Sequence, residues 1–398
     1  MRSENTLIRM TTVPISLKVL LRQQLHFMND YYNVLGVSSP EKELDQVAAA
    51  EGVRTAPVEM TRSITPLKDL KALWQLYKLF KKEKPLIVHT HTPKAGLLGM
   101  LASRLAGVPI RLHTVAGLPL METEGIKRKI LELVEQLTYW CAHKVYPNSK
   151  NLAQFIIQNR FCDVQKLKVL GNGSSNGINT DFFIKSNDIS DQAATIREKL
   201  GISDSDFVFV FIGRLVKDKG IQELVDAFTA LHKRHPHAKL LLVGPYEQAL
   251  DPLPEATVTM IQKHPSIIQV DFQQDIRPYL AMSYVLVFPS YREGFPNVPM
   301  QAGCMELPAI VTDINGCNEI IEDKKNGLIV PVKDSQSLEV SMERLLVDKA
   351  LYLQLKANAR PMITERFDQK LLWKAILEEY QELQAAYESV SKLSQAIA

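Results

Sequence analysis

Short apolar runs alternate with longer segments of helical period along the whole chain. In the first half the runs cover 7–13, 33–38, 86–91, 110–115, 144–147 and 167–170. In the second half they cover 207–212, 239–243, 267–270, 285–289, 309–312 and 328–330. Strands that alternate with helical patterns belong to parallel sheets with crossover helices, so the pattern predicts an α/β protein. At 398 residues the chain is long for one hydrophobic core, and two domains are expected. The polar stretch 185–192, with Ser, Asn and Asp but few apolar residues, interrupts the series. The expected division is a first domain over 1–185, a linker over 186–192 and a second domain over 193–368. An amphipathic helix over 369–398 is expected to cross back to the first domain.

Two helical patterns in the first half stand out. Leu70, Leu73, Trp74, Tyr77 and Phe80 recur at helical spacing, with Lys68, Lys71, Lys78, Lys81, Lys82 and Lys84 around them. Ile126, Ile130, Leu133, Val134 and Leu137 do the same behind Lys127, Arg128 and Lys129. Each stripe reads either as the core face of a crossover helix or as a basic amphipathic helix that lies in a lipid interface.

Net charge is only +3, but residues 1–150 hold 21 Lys and Arg against 13 Asp and Glu, while the remainder holds 26 against 31. The basic half is either an ordinary solvated surface or one that faces anionic lipid or a phosphorylated acceptor. No nucleic-acid motif or interleaved aromatic series accompanies it, which counts against nucleic acid as a partner. The four cysteines, Cys141, Cys162, Cys304 and Cys317, form no Cys-x-x-Cys pair and no cluster with histidine. Neither a disulfide framework nor a zinc site is expected, and a reducing cytoplasm fits best. The N-terminus lacks the order of a signal peptide and no apolar run approaches the ~18 to 20 residues that span a bilayer, so membrane contact is expected to be peripheral.

The chemistry concentrates in the second half. Gly213-Arg-Leu-Val-Lys-Asp-Lys-Gly220 follows one apolar run and precedes a helix from Ile221, which places Arg214 and Lys219 where a strand ends and a helix begins. Ligands of open α/β sheets bind there, and two cations beside helix-terminal amides suit a diphosphate. Some seventy residues on, Ser290-Tyr-Arg-Glu-Gly-Phe-Pro-Asn-Val again joins a strand to a helix, the one that carries Gln301. Glu293 can accept hydrogen bonds from sugar hydroxyls, and Gly294 allows close backbone approach. Taken alone this block reads equally well as a capped helix with an exposed Glu. His113 closes a strand and precedes a Gly-containing loop, an arrangement of either a packed histidine or one that looks into a cleft. His89 and His91 share one strand face; two ligands do not make a metal site, and they read as polar lining or packing.

These residues resemble the retaining glycosyltransferases of family 4, whose fold, GT-B, sets two Rossmann-like domains face to face across a deep cleft. Gly213-Arg-Leu-Val-Lys-Asp-Lys-Gly is similar to the family's phosphate-binding block and Glu293-Gly-Phe-Pro-Asn to its donor-sugar block. Asp313-Ile-Asn-Gly-Cys-Asn-Glu-Ile-Ile and Asn326-Gly look like the segment that follows. Thr11-Thr-Val-Pro, His89-Thr-His-Thr-Pro-Lys-Ala-Gly, His113-Thr-Val-Ala-Gly and Asn172-Gly-Ser-Ser-Asn-Gly are similar to bacterial enzymes that add hexoses or N-acetylhexosamines to lipid-linked saccharides.

The resemblance implies that Arg214 and Lys219 hold the donor diphosphate, that Glu293 binds donor-sugar hydroxyls, and that His113 contacts sugar and phosphate. Gly213, Gly294, Phe295, Pro296, Asn297 and Val298 would line the donor. Family members usually carry a second Glu eight positions after the first, on the nucleotide ribose. This chain has Gln301, whose carbonyl can still accept from a ribose hydroxyl. Lys94, Asn172, Asn176 and Glu319 are acceptor or cleft candidates, with turn chemistry and helix capping as the competing readings. The implied reaction moves a hexosyl or N-acetylhexosaminyl group from a nucleotide sugar, UDP-linked, to a saccharide acceptor with retention. No metal and no cofactor is expected. An epimerase on the same fold, or a non-catalytic nucleotide-sugar-binding subunit, would share the nucleotide clamp. A dehydrogenase is disfavoured, because no Gly-x-Gly-x-x-Gly follows the first strand.

Overall fold

The apolar runs assemble into two six-stranded sheets, each parallel throughout, in two compact units. The computed structural model describes residues 4–118, 120, 123–247 and 251–397. Unit 1 comprises residues 1–177 and 369–398, and unit 2 comprises 178–368.

In unit 1, β1 (Thr6–Met10) is followed by α1 (Pro14–Leu20) and α2 (Gln24–Asn29), β2 (Asn33–Ser38) by α3 (Lys42–Glu51), and β3 (Arg54–Pro57) by α4 (Pro66–Glu83). β4 (Ile87–His91) leads to α5 (Pro93–Ala106), β5 (Ile110–Val115) to α6 (Gly125–Cys141), and β6 (Lys144–Pro147) to α7 (Lys150–Gln158). The sheet order β3-β2-β1-β4-β5-β6 reverses between β1 and β4, the crevice where doubly wound sheets take ligands. Two expectations are corrected here. Residues 167–170 make only a single bridge, Val145 to Leu167, and the sixth strand is β3. That strand is a half-exposed edge of four residues, Arg-Thr-Ala-Pro, without an apolar run to mark it. A Pro at its end suits an edge position.

In unit 2, α8 (Asn187–Lys199) precedes β7 (Phe207–Ile212), α9 (Ile221–His232), β8 (Ala238–Val243), α10 (Glu255–Lys263), β9 (Ile267–Val270) and α11 (Arg277–Ala281). β10 (Val285–Phe288), α12 (Asn297–Cys304), β11 (Ala309–Thr312), α13 (Cys317–Ile320) and β12 (Gly327–Val330) follow, then α14 (Ser335–Val347) and α15 (Lys349–Phe367). The order β12-β11-β10-β7-β8-β9 has its reversal between β7 and β10. The expected linker 186–192 is instead the start of α8. Ser186 caps that helix, its side chain accepting from the Ile189 amide, and Ile189 and Ala193 bury one face. A Ser cap followed by apolar residues at i, i+4 outweighs a polar composition. The units divide at Gly177 and Ile178, where the Ile178 amide already donates to Phe367 O at 2.8 Å inside unit 2.

The helix α16 (Gln369–Ile397) packs on unit 1. Leu372, Ile376, Leu377 and Tyr380 are buried with Leu7, Val34 and Leu112 of the sheet. Polar side chains fasten it: Trp373 Nε1 donates to Asn176 Oδ1 at 2.7 Å, and Tyr146 OH donates to Glu379 Oε1 at 3.0 Å.

Under this helix lies a buried polar cluster. Arg9 is fully buried and meets His91 Nε2 through Nε at 3.2 Å, with Gln24 on its other side. His89 and His91 stack at 4.4 Å, and His89 bonds Tyr380 OH and, at 2.7 Å, Thr114 Oγ1. Burial, then the charges of His91, Arg9 and His113, hold His89 well below the usual histidine range; burial, Arg9 and His113 do the same to His91. Burial lowers His113 to about 4. Glu135 beside Tyr139 opposes them, raised by burial to about 7.

A histidine whose folded value is depressed loses its stabilising effect as pH falls below the unfolded value near 6.5, whereas a raised glutamate loses it as pH climbs from 4.5 to 7. Between about pH 5 and 6 these three histidines outweigh the one glutamate, a net uptake of roughly two protons on unfolding, each worth about 1.4 kcal/mol per pH unit, and the more exposed His143, lowered to about 4 by burial and then by Arg111, adds in the same direction. The thermal midpoint of unit 1 is therefore expected to rise steadily from pH 5 to pH 6.5. A midpoint that is flat or falls over this window in calorimetry would contradict neutral buried histidines.

Candidate functional site: the switch point of unit 2

The loops after β7 and β10 meet at the reversal of the unit 2 sheet. After β7 the chain turns through Gly213 and Arg214, makes a 3-10 turn at Lys217–Lys219 and enters α9 through Gly220. Gly220 has φ of +68°, and a Cβ there would stand 2.1 Å from Pro289 O. The two loops thus approach so closely that only glycine fits. The Asp218 carbonyl accepts from the Tyr291 amide at 2.8 Å, and Arg292 reaches the Asp218 carboxylate at 3.0 Å.

This contact sets Lys219 against Glu293. Their side chains form an ion pair, mostly buried, and Ser290 Oγ donates to the same carboxylate oxygen at 2.9 Å. The Lys219 ammonium also lies 5.8 Å above the Phe288 ring. Asn315, in the loop after β11, donates to the carbonyls of Glu293 and Gly294 and so holds that turn. Gly316 allows this approach: a Cβ there would lie 2.6 Å from Gly294 O. Phe295 packs on Phe367 at 5.5 Å, and Pro296 caps α12, whose first turn holds Asn297 and Val298. Gln301, half-buried, follows one turn later on the same helix. The site therefore gathers a lysine, a carboxylate, a serine hydroxyl and the amide end of an eight-residue helix, groups whose chemistry suits a phosphorylated, hydroxyl-rich ligand.

Several sequence candidates have other partners. Arg214 is half-exposed and pairs with Glu247, a residue the motif reading did not single out because it lies in a different loop, after β8. Glu319 sits on α13, and its backbone carbonyl accepts from Arg366 at 3.3 Å. In unit 1, His113 does not look outward. It is 2% exposed, its Nδ1 is 2.8 Å from Thr90 Oγ1, and its ring lies 6.0 Å from that of Tyr139. Gly96 of α5 makes room for it, since a Cβ there would be 2.4 Å from His113 Cε1.

Lys94 is tied down by Asp69 at 2.7 Å and by the Ser63 carbonyl. It braces α5 against the start of α4. Asn176 accepts from Gln24 at 2.9 Å as well as from Trp373, and donates to Arg22 O at 2.9 Å, so it joins α2, α16 and the turn before unit 2. Asn172 is exposed on that turn. Among the described residues no group of three or more His, Cys, Asp or Glu is placed to hold a metal ion.

A doubly wound sheet with a phosphate-type loop at its switch point, preceded by a second doubly wound sheet, defines the class. Residues 192–362 match the family model described as glycosyl transferases group 1, and residues 32–173 match the glycosyl transferase 4-like domain, so the chain belongs to these glycosyltransferases. It is 32% identical over 378 residues, 94% of its length and 95% of the relative's, to the capsular polysaccharide biosynthesis glycosyltransferase CapM of Staphylococcus aureus. It is also 32% identical over 316 residues, 78% of each chain, to the Escherichia coli UDP-Gal:α-D-GlcNAc-diphosphoundecaprenol α-1,3-galactosyltransferase. Among solved structures, Anabaena HepE in complex with UDP superposes with a TM-score of 0.79 at 18% identity, covering 96% of this chain and 100% of that one. The likeness to these solved structures shows the fold, which is GT-B.

Proposed function

We propose that this glycosyltransferase moves a hexosyl or N-acetylhexosaminyl group from a UDP-sugar to a hydroxyl of a lipid-linked saccharide, with retention, at the cytoplasmic face of a membrane. The observation that carries the reading is the Lys219–Glu293 pair, held with Ser290 at the switch point of unit 2 beside the start of α12. The named activity of the E. coli relative and the UDP in HepE support the donor and acceptor classes.

In this reading the donor diphosphate takes over Lys219 from Glu293 and Arg214 from Glu247. Glu293, released, accepts from donor-sugar hydroxyls; the backbone of 294–298 and the amides opening α12 line sugar and phosphate. Gln301 accepts from the ribose. The bond from the anomeric carbon to the phosphate oxygen breaks, and the nucleotide diphosphate leaves with its electron pair. The acceptor oxygen bonds to the same face of that carbon and passes its proton to the departing phosphate. Lys219 and Arg214 offset the charge that builds on the diphosphate, an electrostatic role that needs no proton transfer from either.

The test is a panel of nucleotide sugars offered to the purified chain with lipid-linked saccharides from bacterial membranes, read by mass. The expected result is an acceptor heavier by one hexosyl or N-acetylhexosaminyl group, with nucleotide diphosphate released only when acceptor is present. Interconversion of the sugar without acceptor would make it an epimerase, and nucleotide binding without turnover of any donor a binding subunit; either overturns the reading.

A further inference from the structure

The apolar stripe foreseen on α6 faces outward. Ile126 is 79% exposed and Leu133 65%, with Ile130 and Leu137 exposed beside them, while the side packed on the unit carries Glu135, Thr138 and Tyr139. A crossover helix normally does the reverse. α4 shows a milder form of the inversion. Its buried row is Ala72, Leu76 and Phe80, and Trp74, in the stripe expected to be one surface, is 56% exposed with Leu67 and Leu70.

The two outward faces are joined by the end of α5. Leu105, 64% exposed, completes a hollow of about 490 Å³ with Leu70, Leu73, Trp74 and Tyr77. The neighbouring Arg104 lies 3.7 Å above the ring of Trp140, at the end of α6. Lys78 stands 5.1 Å from the Trp74 ring and Lys81 5.9 Å from that of Tyr77. Apolar side chains that jut from the surface, aromatic rings beside them and cations over those rings are arranged as a bilayer interface is: acyl chains, then the aromatic level, then headgroups. The positive surplus of residues 1–150 selects the headgroup charge. Among the described residues no helix is long and apolar enough to cross a membrane, so the contact is from one side.

We infer that the outer face of α4, the end of α5 and α6 form a docking surface for an anionic lipid bilayer, with Trp74, Leu105, Ile126 and Leu133 entering the acyl boundary and Lys78, Lys81 and Lys82 meeting the headgroups. It rests on the reading that the acceptor is carried by lipid, but it is measured without donor or acceptor. Failure of docking and failure of transfer are therefore separate results.

The full chain is mixed with vesicles of phosphatidylglycerol and phosphatidylcholine, or of phosphatidylcholine alone, and sedimented. Strong binding is expected only to the anionic vesicles. Leu70→Ser/Trp74→Ser/Leu105→Ser should lose it by tenfold or more. Lys78→Gln/Lys81→Gln/Lys82→Gln should lower it on the order of a hundredfold. As a measurement that needs no variant, bromine-labelled phosphatidylglycerol should quench the tryptophan emission of the unaltered chain. The inference is overturned if the unaltered chain ignores anionic vesicles, if both variants bind as it does, or if bromine-labelled lipid does not quench. It is equally overturned if the chain is a dimer that Trp74→Ser dissociates, which would make the face a self-association surface.

Discussion

Lys219→Ala is expected to lower sugar transfer by about 10²- to 10³-fold, the usual cost of removing one group aimed at charge that develops in the transition state. The loss should fall mainly on kcat, because in the proposed reading the ground-state donor would keep Arg214 and the amides that open α12. Folding should survive: the carboxylate left behind, Glu293, keeps its bond from Ser290 at 2.9 Å and has some access to water. Steady-state kinetics with the best donor of the panel, beside a thermal scan, check both halves. A variant that turns over at the unaltered rate would remove Lys219 from the reaction. Glu293→Gln is the informative partner, since it frees the ammonium without deleting it.

Gly220→Ala should destabilise unit 2 by several kcal/mol. Two effects coincide: a left-handed backbone at φ of +68° that strains any side chain by about 1 kcal/mol or more, and a Cβ 2.1 Å from the Pro289 carbonyl, a separation the loops can relieve only by parting. At roughly 2 to 4 °C per kcal/mol for a domain of this size, the thermal midpoint should drop by about 6 °C or more. Parting the loops also moves Lys219 from Glu293, so transfer should weaken even where the variant is folded. A Gly220→Ala chain with an unchanged midpoint would show that the loops after β7 and β10 do not meet as described.

Much of the fold could be read from the chain because parallel strands buried on both faces leave short apolar runs, and among the described residues eleven of the twelve strands, all but β3, carry one. β3 escaped because an edge strand of four residues needs neither alternation nor a run. The linker misled for the opposite reason: polar surface residues on α8 hid a capped helix whose buried positions are few.

At the site, the residue types and the strand-to-helix turns were legible. The pairing of Lys219 with Glu293, 74 positions apart, was not, because it depends on which strands become neighbours. The packing around His113 was equally out of reach. Nothing local says that Gly96, on another element, vacates the space its ring fills. Likewise, hydrophobic period identified α6 as a helix but could not say which way its stripe would turn.

The fastening of α16 bears on how the protein is made. Tyr380, which bonds His89, lies 291 positions after it, and all of unit 2 is encoded in between. A chain leaving the ribosome therefore has every residue of unit 2 before it has the helix that covers the histidines of unit 1. The half encoded first is completed last, and until then the Arg9, His89 and His91 layer lacks the cover of Tyr380 and its helix.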